Sequence, residues 1–459
     1  MEEKEIYCRS TIRPDNPNRV RMTEDALEIT GRDGEVERVP FTEGLRPTDP
    51  EATEGAVRLY RYLDAMGRSS RVMYGQQNPL MNRAGSYLEA HSDICAVTGA
   101  HPGMFGLDVL ALTGVEFSAK RWNADYTAQA PGWPGGEPID IERLGIKHAD
   151  VLAAAKLTRI AQELGCIVTL SAHMPNFVFT KPNVLFREGI EPEYARYDFK
   201  EYTPNRCEGG TVQEILQGGK ARKVMQAYLD LVAEYAQLVE GPILFRPLHE
   251  NTGGWFWWGD THCTPEEFRE LYRTIVRYLR DEKQVHNLLY AYSPGSEPRS
   301  VEEFDERYPG DEWVDLLGFD MYDRDTDTTG DPGIFPAKFA EQIRITQDAA
   351  DRHGKLFAVT ETGLVGDPPD EGCNATAVRL TGNKNHRWYL DILEEVAQSR
   401  ASYFLLWANF GKKRTFYAPF VEEKCADGAL YGHELLDGFI AYYNDPRSIF
   451  SEQQKEVRF

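Results

Sequence analysis

The chain has no C-x-x-C pair. Its seven cysteines (Cys8, Cys95, Cys166, Cys207, Cys263, Cys373 and Cys425) are odd in number and widely spaced. That spacing excludes a zinc ribbon and a full disulfide framework. Cys95 and Cys166 lie in apolar runs and read as small core residues. No apolar run approaches the ~20 residues of a membrane span. Positive charge is scarce: 51 Lys and Arg stand against 73 Asp and Glu, a formal net charge of −22. Nucleic acid and anionic membrane surfaces reward basic patches, so neither is expected as a partner. No G-x-G-x-x-G follows the first strand-like run, and the exits of strands seven and eight carry no glycine-rich phosphate cradle. His249-Glu250 lacks the second histidine of a zincin helix, so no metal and no cofactor is called for. The opening residues, Met1 to Glu5, are acidic and polar and contain no secretory signal. A cytoplasmic protein is expected if Met1 is the native start, a secreted one if the sequence is trimmed.

What is present is a long chain of 459 residues with 41% hydrophobic and 12% aromatic content, enough for a large core. Residues 1–50 are polar and proline-bearing and form an N-terminal extension, in which 27–30 and 35–39 flank Gly31-Arg32-Asp33-Gly34 as a β-hairpin. From residue 51 to 459, strands and helices alternate as in parallel βαβ units. Strands are expected at 71–74, 94–97, 166–171, 243–246, 287–291, 314–319, 356–360 and 401–407. Helices are expected at 150–164, 221–238, 265–280, 336–353, 388–398 and 434–443. Thr264-Pro265 with Glu267 spells a capping box with proline at the first helical position. Eight alternations predict an α/β fold, a closed (β/α)₈ TIM barrel with long βα loops. Two connections are long, 117–148 and 174–219, and both follow strands, hence lie on the C-terminal face. The first carries Trp122, Tyr126 and Trp133, candidate sugar platforms whose bland alternative is loop packing.

The chain is organised around residues 246–259, Arg-Pro-Leu-His-Glu-Asn-Thr-Gly-Gly-Trp-Phe-Trp-Trp-Gly, which leave a short apolar strand. Arg246, His249 and Glu250 are costly to bury unless paired, and four consecutive aromatics cannot all face inward. Such a composition builds a polar reaction point beside flat apolar walls, as a sugar ring requires. The other strand exits agree: Ser171-Ala172-His173, Asp320-Met321-Tyr322, Thr360-Glu361-Thr362-Gly363 and Trp407-Ala408-Asn409. Glu250 and Glu361, at the exits of strands four and seven, face each other across the mouth. Paired carboxylates suit glycoside cleavage, one protonated to assist the leaving oxygen and one ionised to meet the developing oxocarbenium ion.

The stretch His249-Glu250-Asn251-Thr252-Gly253-Gly254-Trp255-Phe256-Trp257-Trp258-Gly259 resembles the acid/base motif of glycoside hydrolase family 26, the β-mannanases. Thr360-Glu361-Thr362-Gly363 resembles that family's nucleophile strand, Gly318-Phe319-Asp320-Met321-Tyr322 its strand six, and Ser171-Ala172-His173-Met174 its strand three. The resemblance runs over about residues 52–450; Gly75-Gln76-Gln77 departs from it, since the family often has histidine in place of the first glutamine. It implies a retaining double displacement with Glu250 as acid/base and Glu361 as nucleophile. It further implies that Tyr322 bonds the nucleophile region, that His173 and His249 contact sugar hydroxyls, and that Trp255 and Trp407 are stacking surfaces. Asp320 would orient its neighbours, Arg246 among them.

The expected function is hydrolysis of β-1,4-mannosidic linkages in mannan, glucomannan or galactomannan, as a mannan endo-1,4-β-mannosidase, with the polysaccharide or its oligosaccharides as partner. Alternatives within the class are a mannobiose-releasing exo-mannanase, a β-1,3-xylanase and a mixed-linkage β-glucanase. From another class comes a catalytically silent carbohydrate-binding barrel, against which the presence of both glutamates argues. His173 has a competing reading as a satisfied core histidine, and Asp320 one as a purely structural partner. Asn374-Ala375-Thr376 matches a glycosylation sequon, which means little without a secretion signal.

Overall fold

Eight parallel strands close into a barrel in the computed structural model, which describes residues 8–87, 89–127, 136–324, 333–365, 378–412 and 414–459. In chain order they are β1 (Val72–Gln77), β2 (Met104–Asp108), β3 (Ile167–Ser171), β4 (Ile243–Arg246), β5 (Leu288–Tyr292), β6 (Leu316–Asp323), β7 (Leu356–Leu364) and β8 (Ala401–Leu406). Closure is made by β8 on β1, with Tyr403 opposite Met73 and Leu406 opposite Gln76. The barrel strands are buried on both faces, which is why they read as continuous apolar runs rather than alternating ones.

Seven of the eight expected strands fall where they were placed. The exception is strand two. Residues Ile94 to Val97 belong to a helix, Asp93–Thr98, capped by the Ser92 side chain and ended by Gly99 at φ +80°. A four-residue apolar run does not separate strand from helical turn by periodicity. The strand itself, Met104-Phe105-Gly106-Leu107-Asp108, lies just downstream. The capping box at Thr264 is formed, with Glu267 bonding back to the cap, and Gly354 ends its helix in the left-handed region at φ +63°.

The N-terminal ends of the strands are closed by the preceding chain. Residues 26–30 and 36–40 pair as an antiparallel hairpin, to which Arg19–Met22 adds a third strand. Val20, Leu27 and Ile29 of this sheet share one buried cluster with Leu59, Leu63 and Met66 of helix Glu54–Arg68. The same cluster takes in Met73, Met104, Ile167, Leu244, Leu289, Leu316 and Leu356 from the starts of β1 to β7. The bottom of the barrel is thereby sealed with apolar side chains, and the polar strand exits are left at the other end.

The two long connections both leave that other end. Trp122 and Tyr126 are not sugar platforms: both are buried, and their rings stack at 6.0 Å, so burial of large apolar rings won over display. Trp133, Cys373 and the sequon at Asn374 lie outside the described residues. The other six cysteines are free, with Cys166 buried and Cys95 half-buried. No helix among the described residues is long and apolar enough to cross a membrane.

Candidate active site

The site starts with one buried cation. Arg246, the last residue of β4, donates from Nη2 to Glu361 Oε2 at 2.6 Å, and from Nη1 to Asp320 Oδ2 at 2.5 Å and Ser293 Oγ at 3.2 Å. Asp320 and Glu361 stand opposite each other in the β6–β7 register, just past an irregularity between Phe319 and Asp320 that re-aims both side chains. Thr360 Oγ1 donates to the other Asp320 oxygen at 2.8 Å, and the Tyr322 hydroxyl donates to Glu361 Oε1. Each Glu361 oxygen thus accepts from a fixed donor, and the guanidinium cannot surrender its proton. With three charges buried together, removing the Arg alone would leave two carboxylates uncompensated, a change that costs about 3–5 kcal/mol in comparable pairs.

Glu250 is held by strained backbone. Both Leu248 and Glu250 have φ +52°, a region non-glycine residues rarely enter and which costs about 1–3 kcal/mol per residue. The Glu250 N–H donates to Ser293 O at 2.9 Å. Its carboxyl accepts Trp255 Nε1 at 2.7 Å, and Trp255 is 42% exposed. The paired glycines explain how that indole folds back: a Cβ on Gly253 would lie 2.1 Å from the Trp255 ring. Phe256, Trp257 and Trp258 face inward. Trp257 Nε1 bonds Met174 O at 3.1 Å and Trp258 Nε1 bonds His249 O at 2.8 Å, pinning the loop that carries the carboxyl. Burial, and then the negative charge of Glu361, push the Glu250 carboxyl up to about 7. It therefore keeps its proton near neutral pH while Glu361 faces a permanent cation.

A second polar group lies across the mouth. His173, just past β3, has Nδ1 2.8 Å from Asp108 Oδ2 and Nε2 3.3 Å from His249 Nε2. Burial pulls His173 down, but Asp108, with Glu361 and Glu250 beyond it, outweighs this and the net shift is upward. Burial, Arg246 and His173 drive His249 well below the ordinary histidine value. The two Nε2 atoms face each other, with His173 biased toward its charged form and His249 toward its neutral one. His249 is 1% exposed, so from this pair it is His173 that reaches the cleft. Trp407 is half-buried with its ring 5.9 Å from that of His173.

The fold thus gathers Arg246, His249, Glu250, Asp320, Tyr322, Glu361, His173, Trp255 and Trp407 at one end of the barrel. A cavity of about 780 Å³ opens beside Glu250, Trp255 and Tyr322 and extends to Glu297, Arg299 and Lys338. Two acids in this region escaped the sequence reading. Asp108 was hidden because strand two was misplaced, although an apolar run ending in Asp before a helix start could have revealed it. Glu116, which accepts Asn78 Nδ2 at 2.9 Å, gives no such signal. Burial and the charge of Asp108 push it up to about 7.

The family model for glycosyl hydrolase family 26 matches residues 146–347. A mannan endo-1,4-β-mannosidase of Bifidobacterium adolescentis is 34% identical over 391 residues, covering 83% of this chain and 34% of that protein. One of Bacillus subtilis is 36% identical over 112 residues, 22% of this chain and 30% of that protein. The chain thus spans about a third of the length of these curated relatives. Among solved structures, the catalytic domain of a family 26 endo-β-1,4-mannanase from Bacillus sp. JAMB-750 superposes with a TM-score of 0.69 at 28% identity, covering 90% of this chain and 95% of that one. A modular endo-β-1,4-mannanase from Cellulomonas fimi gives 0.67 at 29% identity, with 90% and 80% covered. The eight-stranded parallel barrel, the carboxylates at the exits of both β4 and β7, the family model over residues 146–347 and these relatives together support assignment of the chain to glycosyl hydrolase family 26.

Proposed function

We propose that this chain is an endo-acting, retaining β-1,4-mannanase. The observation that carries the reading is the contrast between two carboxyl groups in one site: Glu250 pushed up to about 7, Glu361 held between Arg246 and Tyr322. The mannan preference is supported by the names of the relatives. In the first step the Glu361 carboxylate attacks the anomeric carbon while the C1–O bond to the leaving sugar breaks. Glu250 passes its proton to the departing oxygen. Esterified Glu361 has lost its charge, so Glu250 is free to ionise. In the second step Glu250 takes a proton from water as the water oxygen attacks C1, and the ester bond to Glu361 breaks. His173 and the rings of Trp255 and Trp407 hold the sugars on either side.

Product profiling tests the reading. Linear β-1,4-mannan is expected to yield manno-oligosaccharides of mixed length early in the digest, with lichenan and β-1,3-xylan untouched. Mannobiose as the sole early product would establish the exo-acting alternative. Cleavage of lichenan or β-1,3-xylan but not of mannan would overturn the substrate assignment.

A further inference from the structure

Most large aromatic side chains among the described residues are buried or half-buried. Among the described residues only two are openly exposed, Trp255 at 42% and Tyr202 at 50%. Trp255 touches the Glu250 carboxyl. Tyr202 comes from a different element, the excursion between β3 and the helix Lys220–Val239, and its ring centroid is 6.1 Å from that of His173.

The exposure of Tyr202 is not that of a loose loop. Thr203 Oγ1 accepts the Asn176 N–H at 2.9 Å, and Pro204 O accepts the Trp257 N–H at 3.0 Å, so the residues that follow it are tied to the floor of the site. Thr203 and Pro204 are buried, as are Tyr194 and Phe199 earlier in the same excursion. The excursion also exposes Val184, Leu185 and Ile190, but Tyr202 differs from them in being a ring held beside His173 on a pinned backbone. Among the described residues the Tyr202 hydroxyl has no hydrogen-bond partner. Partial burial and the charges of Asp108, Glu250, Glu116 and Glu361 push the phenol up, so it remains a neutral donor over an acidic cleft.

We infer that Tyr202 is a sugar-stacking platform, set on the β3 side of the carboxylate pair, that fixes how far an oligosaccharide extends along that flank. The cavity beside Glu250 and Trp255 runs the other way, toward the β5 and β6 exits. A chain bound across the mouth therefore has Trp255 near the cleavage point and Tyr202 farther along. The ring face suits the C–H face of a pyranose, and the free phenol suits a sugar hydroxyl. The inference rests on the glycoside-hydrolase reading and adds a specificity-determining residue to it.

The test compares Tyr202→Ala and Tyr202→Phe with the wild type on β-1,4-manno-oligosaccharides from three to six sugars long. Because Tyr202 is exposed, both variants should keep the wild-type circular dichroism spectrum. Tyr202→Ala is expected to raise KM on mannohexaose about 10-fold, the size of one aromatic stacking contact, with kcat within about two-fold. The shortest cleaved substrate should change by less than about two-fold in KM, and Tyr202→Phe should keep most of the long-chain affinity. An equal loss of kcat at every length, accompanied by a shifted pH profile, would mean that Tyr202 acts only by positioning His173 and would overturn the platform. An unchanged KM at every length would overturn it too. If the wild type cleaves gluco- or xylo-oligosaccharides instead, the mannan reading fails by itself, and the same length series in that sugar decides the platform. If the wild type cleaves none of the three series, calorimetric binding of the six-sugar oligosaccharides to wild type and Tyr202→Ala decides it, and equal binding or none would overturn the platform.

Discussion

Glu361→Ala is expected to lower kcat/KM on mannan by on the order of 10⁵, with no burst of product from any substrate, because the group that forms the covalent intermediate is gone. Asp320 is the adjacent carboxylate, but it is buried and committed to Arg246 and Thr360. Arg246 keeps Asp320 as partner in the variant, so the barrel should fold and the loss should be chemical rather than structural. The measurement is steady-state and pre-steady-state turnover of mannan and of an aryl β-mannobioside. A variant that retains more than about a hundredth of the wild-type rate on either substrate would remove Glu361 from the nucleophile's role.

Glu250→Ala should fail in a different way. Proton donation matters when the leaving oxygen is a sugar hydroxyl and little when it is a dinitrophenolate. Turnover of mannan should fall by about 10³, whereas formation of the glycosyl-enzyme from a dinitrophenyl mannobioside should fall by less than about 10-fold. Azide, which needs no general base, should accelerate breakdown of that intermediate in this variant. The pH dependence follows from the same group. As the proposed acid, Glu250 would have to be protonated in the free enzyme, and burial and then Glu361 push it up to about 7. Wild-type kcat/KM on mannan should therefore hold below pH 7 and fall as the pH rises through about 7. In Glu250→Ala, assayed on the dinitrophenyl substrate, this basic limb should be absent. Equal losses on both substrates, or a basic limb that survives the substitution, would reassign the acid.

The placement of the candidate residues was legible in the sequence because strand ends are where the barrel gathers side chains. Arg246, Glu250, Asp320, Tyr322 and Glu361 were found by reading each apolar run to its end, and a βα barrel collects strand ends on one face. What escaped depended on packing. Ile94 to Val97 has the composition of a strand and the caps of a helix, and with it Asp108 was lost from the reading of strand two. Trp122 and Trp255 look alike in a polar, glycine-bearing stretch, yet one is fully buried and the other displayed. Only the three-dimensional context, here the Gly253 that makes room for the folded-back indole, decides between them. The histidine pair is another such case. His249 is shifted down by burial and by Arg246, three residues earlier in the chain, whereas His173 is shifted up against its own burial by Asp108, which is remote in the chain. Tyr202 was invisible for the same reason, since its meaning lies in what stands 6.1 Å away rather than in its own segment.

The central claim is that Glu361 attacks the sugar directly and Glu250 serves both steps. Direct attack needs carboxyl groups about 5–5.5 Å apart, whereas a water held between them needs about 6.5–9.5 Å, and the two arrangements leave opposite anomers. Proton NMR of the first product formed from mannohexaose reads that outcome within minutes of adding enzyme. The β-anomer signal should appear first, with the α-anomer growing in later by mutarotation. An initial α-anomer would contradict the double displacement and the roles assigned to both glutamates.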